Sequence, residues 1–319
     1  MSIKARLKYM DIAKGIGIIC VLMGHTYANQ ICILVNTFHM PLFFIISGFF
    51  FTPIEKLEMK SNVRLLIPYG MTVAAFAFFS LMYGDYKEAL IWVWGGVYGS
   101  GYDYETPFLI KSIGGIWFFL ALFWVRIIVN EIIKFNEKMQ LCIAILVTYV
   151  GVKTYSCFVL PVSIQNGMAA TIFFFAGYYL KEEKLLKKIN YMYMIFFLVI
   201  WFYCYKYYGN LAMVNCSIPN VMTVIGALCG SGVILYISML LENKLIIVGN
   251  ILGHIGRMTM VMLCVHIFEL HTGVLVNIQN MLYETMHFSI HIFVLRCIWT
   301  FALAEIVYKC ISIIQKKRI

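Results

Sequence analysis

The sequence predicts an all-α protein, a polytopic transmembrane helix bundle with about ten spanning helices. Of the 319 residues, 62% are hydrophobic and 13% are charged, whereas soluble domains carry about 25% charged residues. The mean hydropathy is +0.85. The apolar residues form runs near the roughly 20 residues that a helix needs to cross a bilayer. Because backbone groups in lipid must be hydrogen-bonded within the chain, these runs are expected to be helices.

Ten apolar stretches have the length of a membrane span, with short polar segments between them. The fifth is the least apolar because Lys153 lies within it. The longest segment on the predicted outer side covers residues 84–113. We therefore expect one transmembrane domain over residues 1–319 and no separate soluble domain. The stretches are residues 11–29, 33–52, 65–83, 114–133, 141–157, 163–180, 190–208, 218–241, 257–276 and 287–312.

The distribution of basic residues predicts that both termini lie in the cytoplasm. Cytoplasmic segments of membrane proteins carry an excess of Lys and Arg. With the N-terminus inside, 18 of the 25 Lys and Arg residues fall in cytoplasmic segments and four in outer segments. This ratio supports an even number of spans. The four outer residues are Lys87, Lys111, Lys153 and Lys206.

The composition also excludes other classes of partner. The net charge of +10 does not indicate nucleic-acid binding, because the basic residues lie in short segments between apolar stretches. The ten cysteines show neither a Cys-x-x-Cys pair nor zinc-site spacing, so no metal is expected. Membrane lipids are the expected surroundings, and no nucleic-acid partner is expected.

The first apolar stretch carries ionisable residues that are costly in a membrane. Asp11, Lys14 and His25 lie on one stripe of a helix. With Ile18 and Leu22 between Lys14 and His25, successive residues of the stripe are three or four positions apart. A charge at the bilayer centre costs roughly 2.5–3.5 kcal/mol, which a function can offset. Lys14 can hold an anion such as a phosphate, His25 can take a proton from a hydroxyl, and Asp11 can pair with Lys14. The alternatives are a lysine that reaches the interface, a helix-end ion pair and a hydrogen-bonded bundle histidine.

Five segments of the sequence form an ordered set of motifs. They are YMDIAKGIGIICVLMGH (9–25), TFHMPLFFIISGFF (37–50), RLLIPY (64–69), IWFFLALF (116–123) and GRMTMVMLCVH (256–266). In this order they resemble the membrane-bound acyltransferase-3 family, whose first helix carries a basic residue, ten intervening residues and a histidine. Lys14 and His25 have that spacing, with Lys where many members have Arg. The DxxKG start and the FHMPLFFxxSG segment are most similar to the fucose 4-O-acetylase-like branch.

The resemblance implies an integral-membrane O-acyltransferase of a bacterial cytoplasmic membrane. Such an enzyme moves an acyl group, usually acetyl, from cytoplasmic acetyl-CoA to a hydroxyl of a surface glycan or its lipid-linked precursor. Carried over to this sequence, His25 is the catalytic histidine and Lys14 is its basic partner. Some members carry a closely spaced arginine pair on the cytoplasmic side, where this chain has Lys60 and Arg64.

Two further residues are candidates for the acceptor and donor sites. His39 precedes Met40-Pro41, and a proline in a membrane helix frees a carbonyl and often marks a kink beside a cavity. We expect His39 to take part in catalysis, the alternative being a structural hydrogen bond. Arg64 is a candidate ligand of the CoA phosphates, since Arg binds phosphate with two hydrogen bonds. The alternative for Arg64 is one more charge on the cytoplasmic side.

Three residues are candidates for contact with the acceptor. Trp117 follows two glycines at the predicted outer start of the fourth span, where it can stack on a substrate or sit in the interfacial aromatic belt. His266 and Glu269 are three residues apart in the ninth span and can form a buried pair that supports proton transfer.

A different class of function also accounts for charges inside the membrane. In a transporter or glycan exporter, intramembrane Lys, Arg and His form substrate or proton sites. Transporters often show inverted repeats and paired broken helices, and we find neither pattern in this sequence. The acyltransferase is therefore the leading hypothesis and the transporter is the alternative.

Overall fold

The protein is helical throughout the part that the structure describes. A computed structural model describes residues 7–26, 30–53, 62–105, 109–182, 190–209, 211–273 and 289–316. These residues form fourteen α-helices, and their extended pairing is limited to two isolated bridges, Tyr104–Ile110 and Ala212–Ser217. The predicted all-α fold is thus confirmed. The helices are α1 (Lys8–Thr26), α2 (Gln30–Asn36), α3 (His39–Phe49), α4 (Leu66–Met82), α5 (Tyr86–Tyr98), α6 (Trp117–Ile132), α7 (Glu137–Tyr155), α8 (Ile164–Ala169), α9 (Thr171–Glu182), α10 (Tyr191–Tyr208), α11 (Val221–Lys244), α12 (Ile246–Arg257), α13 (Thr259–Thr272) and α14 (Ser289–Lys316).

Within the described residues, each of the ten predicted stretches overlaps a helix or two consecutive helices. Residues 27–29, 274–276 and 287–288 of these stretches lie outside the described residues. By length and apolar composition, four described segments can cross a membrane alone: Gln30–Phe49, Gly114–Ile132, Val221–Lys244 and Ile290–Ile314. The pair α12 and α13, bent by 68°, adds a fifth if it forms one span. These apolar helices indicate an integral membrane protein. Ten spans and the orientation with both termini inside stay predictions.

Two helices occur where the sequence pattern predicted polar connecting segments. α5 lies within segment 84–113, which is predicted to be outside; it begins after Asp85 and ends before Gly99, which has a left-handed φ of 75°. The Asp85 side chain accepts a hydrogen bond from the Glu88 amide at 2.8 Å, as an N-cap does. α12 precedes the bend and ends at Arg257. Both helices are shorter than a span, so a search for spanning length does not find them.

Glycines allow two pairs of helices to touch through their backbones. At the crossing of α1 and α12, a Cβ on Gly256 would overlap the carbonyl oxygen of Asp11. At the crossing of α3 and α9, a Cβ on Gly48 would overlap the carbonyl oxygen of Phe174. A Cβ on Gly177 would likewise overlap a carbonyl of α3. Small residues permit such close approach between membrane helices, and these crossings hold α1 and α3 in place.

Aromatic packing connects α3 with α6. The rings of Phe44 and Phe118 are both buried, and their centroids lie 5.0 Å apart. His39 begins α3 and Trp117 begins α6. The packing therefore joins the second and fourth sequence motifs and brings the starts of both helices to one end of the bundle.

Side-chain hydrogen bonds fix the loop between α10 and α11. The buried Asn166 amide donates to the carbonyls of Met213 at 2.9 Å and Val214 at 2.8 Å. The Tyr155 hydroxyl donates to the Val214 carbonyl at 3.4 Å and also bonds the Tyr104 hydroxyl. This loop and the segment after α5 both form part of the wall of the cavity described next.

Candidate active site

A cavity of about 280 Å³ lies where the ends of several helices meet. It is lined by the last turn of α1, the start of α3, the turn before α6, and the segments 101–102 and 211–214. Both His25 and His39 line it, although they come from different helices. The structure therefore brings together the two histidines that the sequence predicted to be catalytic.

His25 is exposed to this cavity and has a second histidine beside it. It lies in the last turn of α1, and its side chain is exposed. The ring of His266, which is fully buried on α13, has its centroid 5.2 Å from that of His25 at an interplanar angle of 57°. The first and last sequence motifs thus end at the same place, with His25 on the cavity side and His266 behind it.

His39 is held in one orientation by the end of the preceding helix, α2. Its Nδ1 lies 2.7 Å from the carbonyl oxygen of Val35. Because a carbonyl only accepts, Nδ1 carries the proton and Nε2 of the neutral ring is an acceptor. His39 therefore shows both features that the sequence offered as alternatives: it makes a structural hydrogen bond, and it lies at a cavity.

Trp117 closes one side of the cavity and is buried among protein atoms. Its side chain is 3% exposed, and a Cβ on Gly101 would overlap its indole ring. A tryptophan of the interfacial belt would face lipid headgroups. The burial of Trp117 does not fit that alternative, and its contact with substrate stays a prediction.

Behind His266 lies a buried ion pair that the sequence only partly predicted. The Glu269 carboxylate has one oxygen 3.5 Å from His266 Nδ1 and 3.4 Å from Arg296 Nε. The His266–Glu269 pair was expected from spacing. Both side chains are buried and lie outside the cavity lining, so the predicted contact with the acceptor stays a prediction. Arg296 was not a candidate for this site. It lies on α14, and the sequence does not show that α14 packs beside Glu269 on α13. Its presence in a candidate span was the signal that could have found it.

The predicted donor residues lie away from the cavity. Lys14 forms the expected ion pair with Asp11, with Nζ and Oδ1 2.7 Å apart. Lys14 and His25 are eleven residues apart on one helix, which is roughly 16 Å along its axis. Arg64 is exposed just before α4 and is not part of the cavity wall. Lys60 lies outside the described residues. The structure therefore does not place either basic candidate beside the histidines.

No group of three or more His, Cys, Asp or Glu side chains within the described ranges could hold a metal ion.

Residues 7–309 match the sequence model of a protein family, which is described as "Acyltransferase domain". The chain belongs to the membrane acyltransferase-3 family. The match covers α1 to most of α14 and so includes the cavity histidines and Arg296. A search of curated proteins and a search of solved structures each found no match.

Membership of the acyltransferase-3 family supports an acyltransferase, and it gives no support to the transporter alternative. Membership of the fucose 4-O-acetylase-like branch stays a prediction, based on the residues of the DxxKG and FHMPLFFxxSG motifs.

Proposed function

We propose that this acyltransferase moves an acetyl group from cytoplasmic acetyl-CoA to a hydroxyl of a surface glycan or its lipid-linked precursor. The observation that carries the proposal is the cavity lined by His25 and His39 in a chain of the acyltransferase-3 family. The proposed setting is a bacterial cytoplasmic membrane, with membrane lipids around the helices.

The chemistry needs a group that takes a proton from the attacking hydroxyl. In the proposed reaction, His25 accepts this proton while the oxygen attacks the thioester carbonyl carbon. A C–O bond forms, the C–S bond breaks, and CoA leaves as its thiol after the proton returns from His25. His266 lies behind His25, so its buried pair with Glu269 supports the proton transfer without touching the substrate.

The remaining walls of the cavity suit a sugar. The part of Trp117 that lines the cavity can make an apolar contact with a sugar, and the hydroxyl of Tyr102 can bond one of the sugar oxygens. His39 Nε2 can accept a hydrogen bond from a neighbouring sugar hydroxyl. The volume of about 280 Å³ lies at the lower end of ligand pockets, which favours one sugar unit inside the cavity.

Lys14 is proposed to hold a phosphate of the donor at the other end of α1. Replacing Lys14 with alanine is expected to raise KM for acetyl-CoA about tenfold, because one charge-assisted hydrogen bond is lost. We expect kcat to change much less, since Lys14 is roughly 16 Å from the histidines. Initial rates at varied acetyl-CoA concentration would check this. The control is Lys153→Ala, an exposed lysine at the end of α7. An unchanged KM in Lys14→Ala would remove Lys14 from the donor site.

The proposed function is tested by following the acetyl group. Membranes that contain the protein are incubated with acetyl-CoA labelled in the acetyl carbon, beside membranes that lack it. Label is then counted in the lipid extract and in the polysaccharide fraction. Protein-dependent label in either fraction, released by mild alkali as an ester would be, supports the proposal. Absence of such label with membranes that retain their glycan acceptors would contradict it.

A further inference from the structure

Arg296 joins three helices at the back of the cavity. Its side chain is 3% exposed and lies on α14 within a segment apolar enough to span a membrane. One guanidinium nitrogen donates to the backbone carbonyl of His25 at 3.0 Å and to the Thr26 hydroxyl oxygen at 2.9 Å. Its Nε lies 3.4 Å from the Glu269 carboxylate on α13. One side chain thus contacts the end of α1 and the acid behind His266.

The contact with α1 meets a need of every helix end. The last four carbonyls of an α-helix have no donor within the helix, and an end without partners frays. The carbonyl of His25 is one of these four, because α1 ends at Thr26. Arg296 supplies the donor, and the Thr26 hydroxyl in turn donates to the carbonyl of Leu22 at 2.7 Å. The turn that carries the His25 ring is therefore fixed by α14.

The contact with Glu269 meets an electrostatic need. Glu269 is 2% exposed, and a carboxylate buried to that extent is strongly destabilising without a positive partner. Arg296 supplies that charge, because a guanidinium stays protonated in proteins. Without it, the negative charge of Glu269 would act on His266, and His266 lies against the ring of His25.

We propose that Arg296 is a positioning residue for acyl transfer: its guanidinium holds the last turn of α1, and with it His25, against the cavity while balancing the charge of Glu269. The link to acyl transfer rests on the proposed function. The positioning itself does not, since it is a statement about where α14 holds the end of α1.

The variants separate the two parts of this role. Arg296→Gln keeps a hydrogen-bond donor but loses the charge, and Arg296→Ala loses both. Arg296→Lys keeps the charge but carries it on a single nitrogen, which cannot take the places of both guanidinium nitrogens that contact α1 and Glu269. Arg126→Gln is the matched control, because Arg126 also lies in a spanning helix but contacts the ring of Phe51 and not the cavity.

Two measurements on the full-length protein in lipid nanodiscs test the proposal. The first is backbone hydrogen exchange of the peptide covering residues 20–26, followed by mass spectrometry. We expect exchange to be about tenfold faster in Arg296→Ala and unchanged in Arg126→Gln, since loss of the tether lets the last turn open. The second is kcat and KM for acetyl transfer. We expect kcat to fall about a hundredfold in Arg296→Gln with KM little changed, as misplacement of a catalytic group does, and Arg296→Lys to recover part of the loss.

The outcomes distinguish a failure of this proposal from a failure of the proposed function. Wild-type exchange at residues 20–26 in Arg296→Ala would overturn the positioning role. Wild-type kcat in Arg296→Gln would overturn its importance for transfer. If the wild-type protein transferred no acetyl group at all, the proposed function would fail, and hydrogen exchange would still decide whether Arg296 holds His25.

Discussion

Replacing His25 with alanine is expected to reduce acetyl transfer by a factor of at least about a hundred, the usual contribution of a positioned general base. His25 is the histidine whose exposed surface faces the cavity and whose ring has His266 behind it. Without its imidazole, the acceptor hydroxyl would have to attack the thioester while still protonated. The measurement is the rate of label transfer from acetyl-CoA in membranes that contain equal amounts of wild-type and variant protein.

The histidine control separates this effect from a general disturbance of the bundle. His291 is exposed in the first turn of α14 and is not part of the cavity wall, so His291→Ala is expected to keep wild-type transfer. His25→Ala should enter the membrane and elute from a size-exclusion column as the wild-type protein does. Transfer at the wild-type rate in His25→Ala would show that the proposed mechanism is wrong.

The second large effect is expected at the crossing of α3 and α9. Gly48→Ala should lower the stability of the protein by about 3 kcal/mol or more, at the upper end of the cost of overpacking. The reason is that the added Cβ would meet a backbone carbonyl of Phe174, which cannot rotate away as a side chain could. The two helices would have to separate, and α3 carries His39. Thermal unfolding of purified protein, followed by tryptophan fluorescence, measures the loss.

A second glycine provides the matched comparison for this substitution. Gly70 lies inside α4, and a Cβ added there meets no atom within 4 Å. Alanine favours a helix over glycine by about 1 kcal/mol, so Gly70→Ala should unfold at the wild-type temperature or slightly above it. Equal unfolding temperatures for Gly48→Ala and Gly70→Ala would contradict the close crossing of α3 and α9.

The sequence predicted much of the site because the chemistry of α1 is local. Asp11, Lys14 and His25 lie on one helical stripe, because Ile18 and Leu22 divide it into steps of three and four residues. The Asp11–Lys14 pair was expected from its three-residue spacing. The motif order also selected His39 and Trp117, which now share a cavity with His25. These residues were found without knowledge of which helices are neighbours.

Other parts of the site depend on which helices pack together, and the hydrophobic periodicity of the sequence does not predict this. Arg296 and Glu269 are separated by 27 positions, and only the packing of α13 against α14 makes them a pair. α5 was missed because the search was for spanning length. Its sequence does carry the start and stop signals of a helix, an N-cap at Asp85 and a glycine at Gly99. Short helices in membrane proteins are better found from their caps than from hydropathy.

The tie between α1 and α14 has a consequence for how the protein is synthesised. Chains enter the membrane from the N-terminus, so His25 is in place long before Arg296, which follows 271 positions later. Until then the carbonyl of His25 lacks this donor, and Glu269 lacks its charge partner on α14. Insertion of α13 and α14 together would pair two charges, each of which alone costs roughly 2.5–3.5 kcal/mol at the bilayer centre. A helix that emerges from the ribosome late, α14, completes the environment of a histidine in α1.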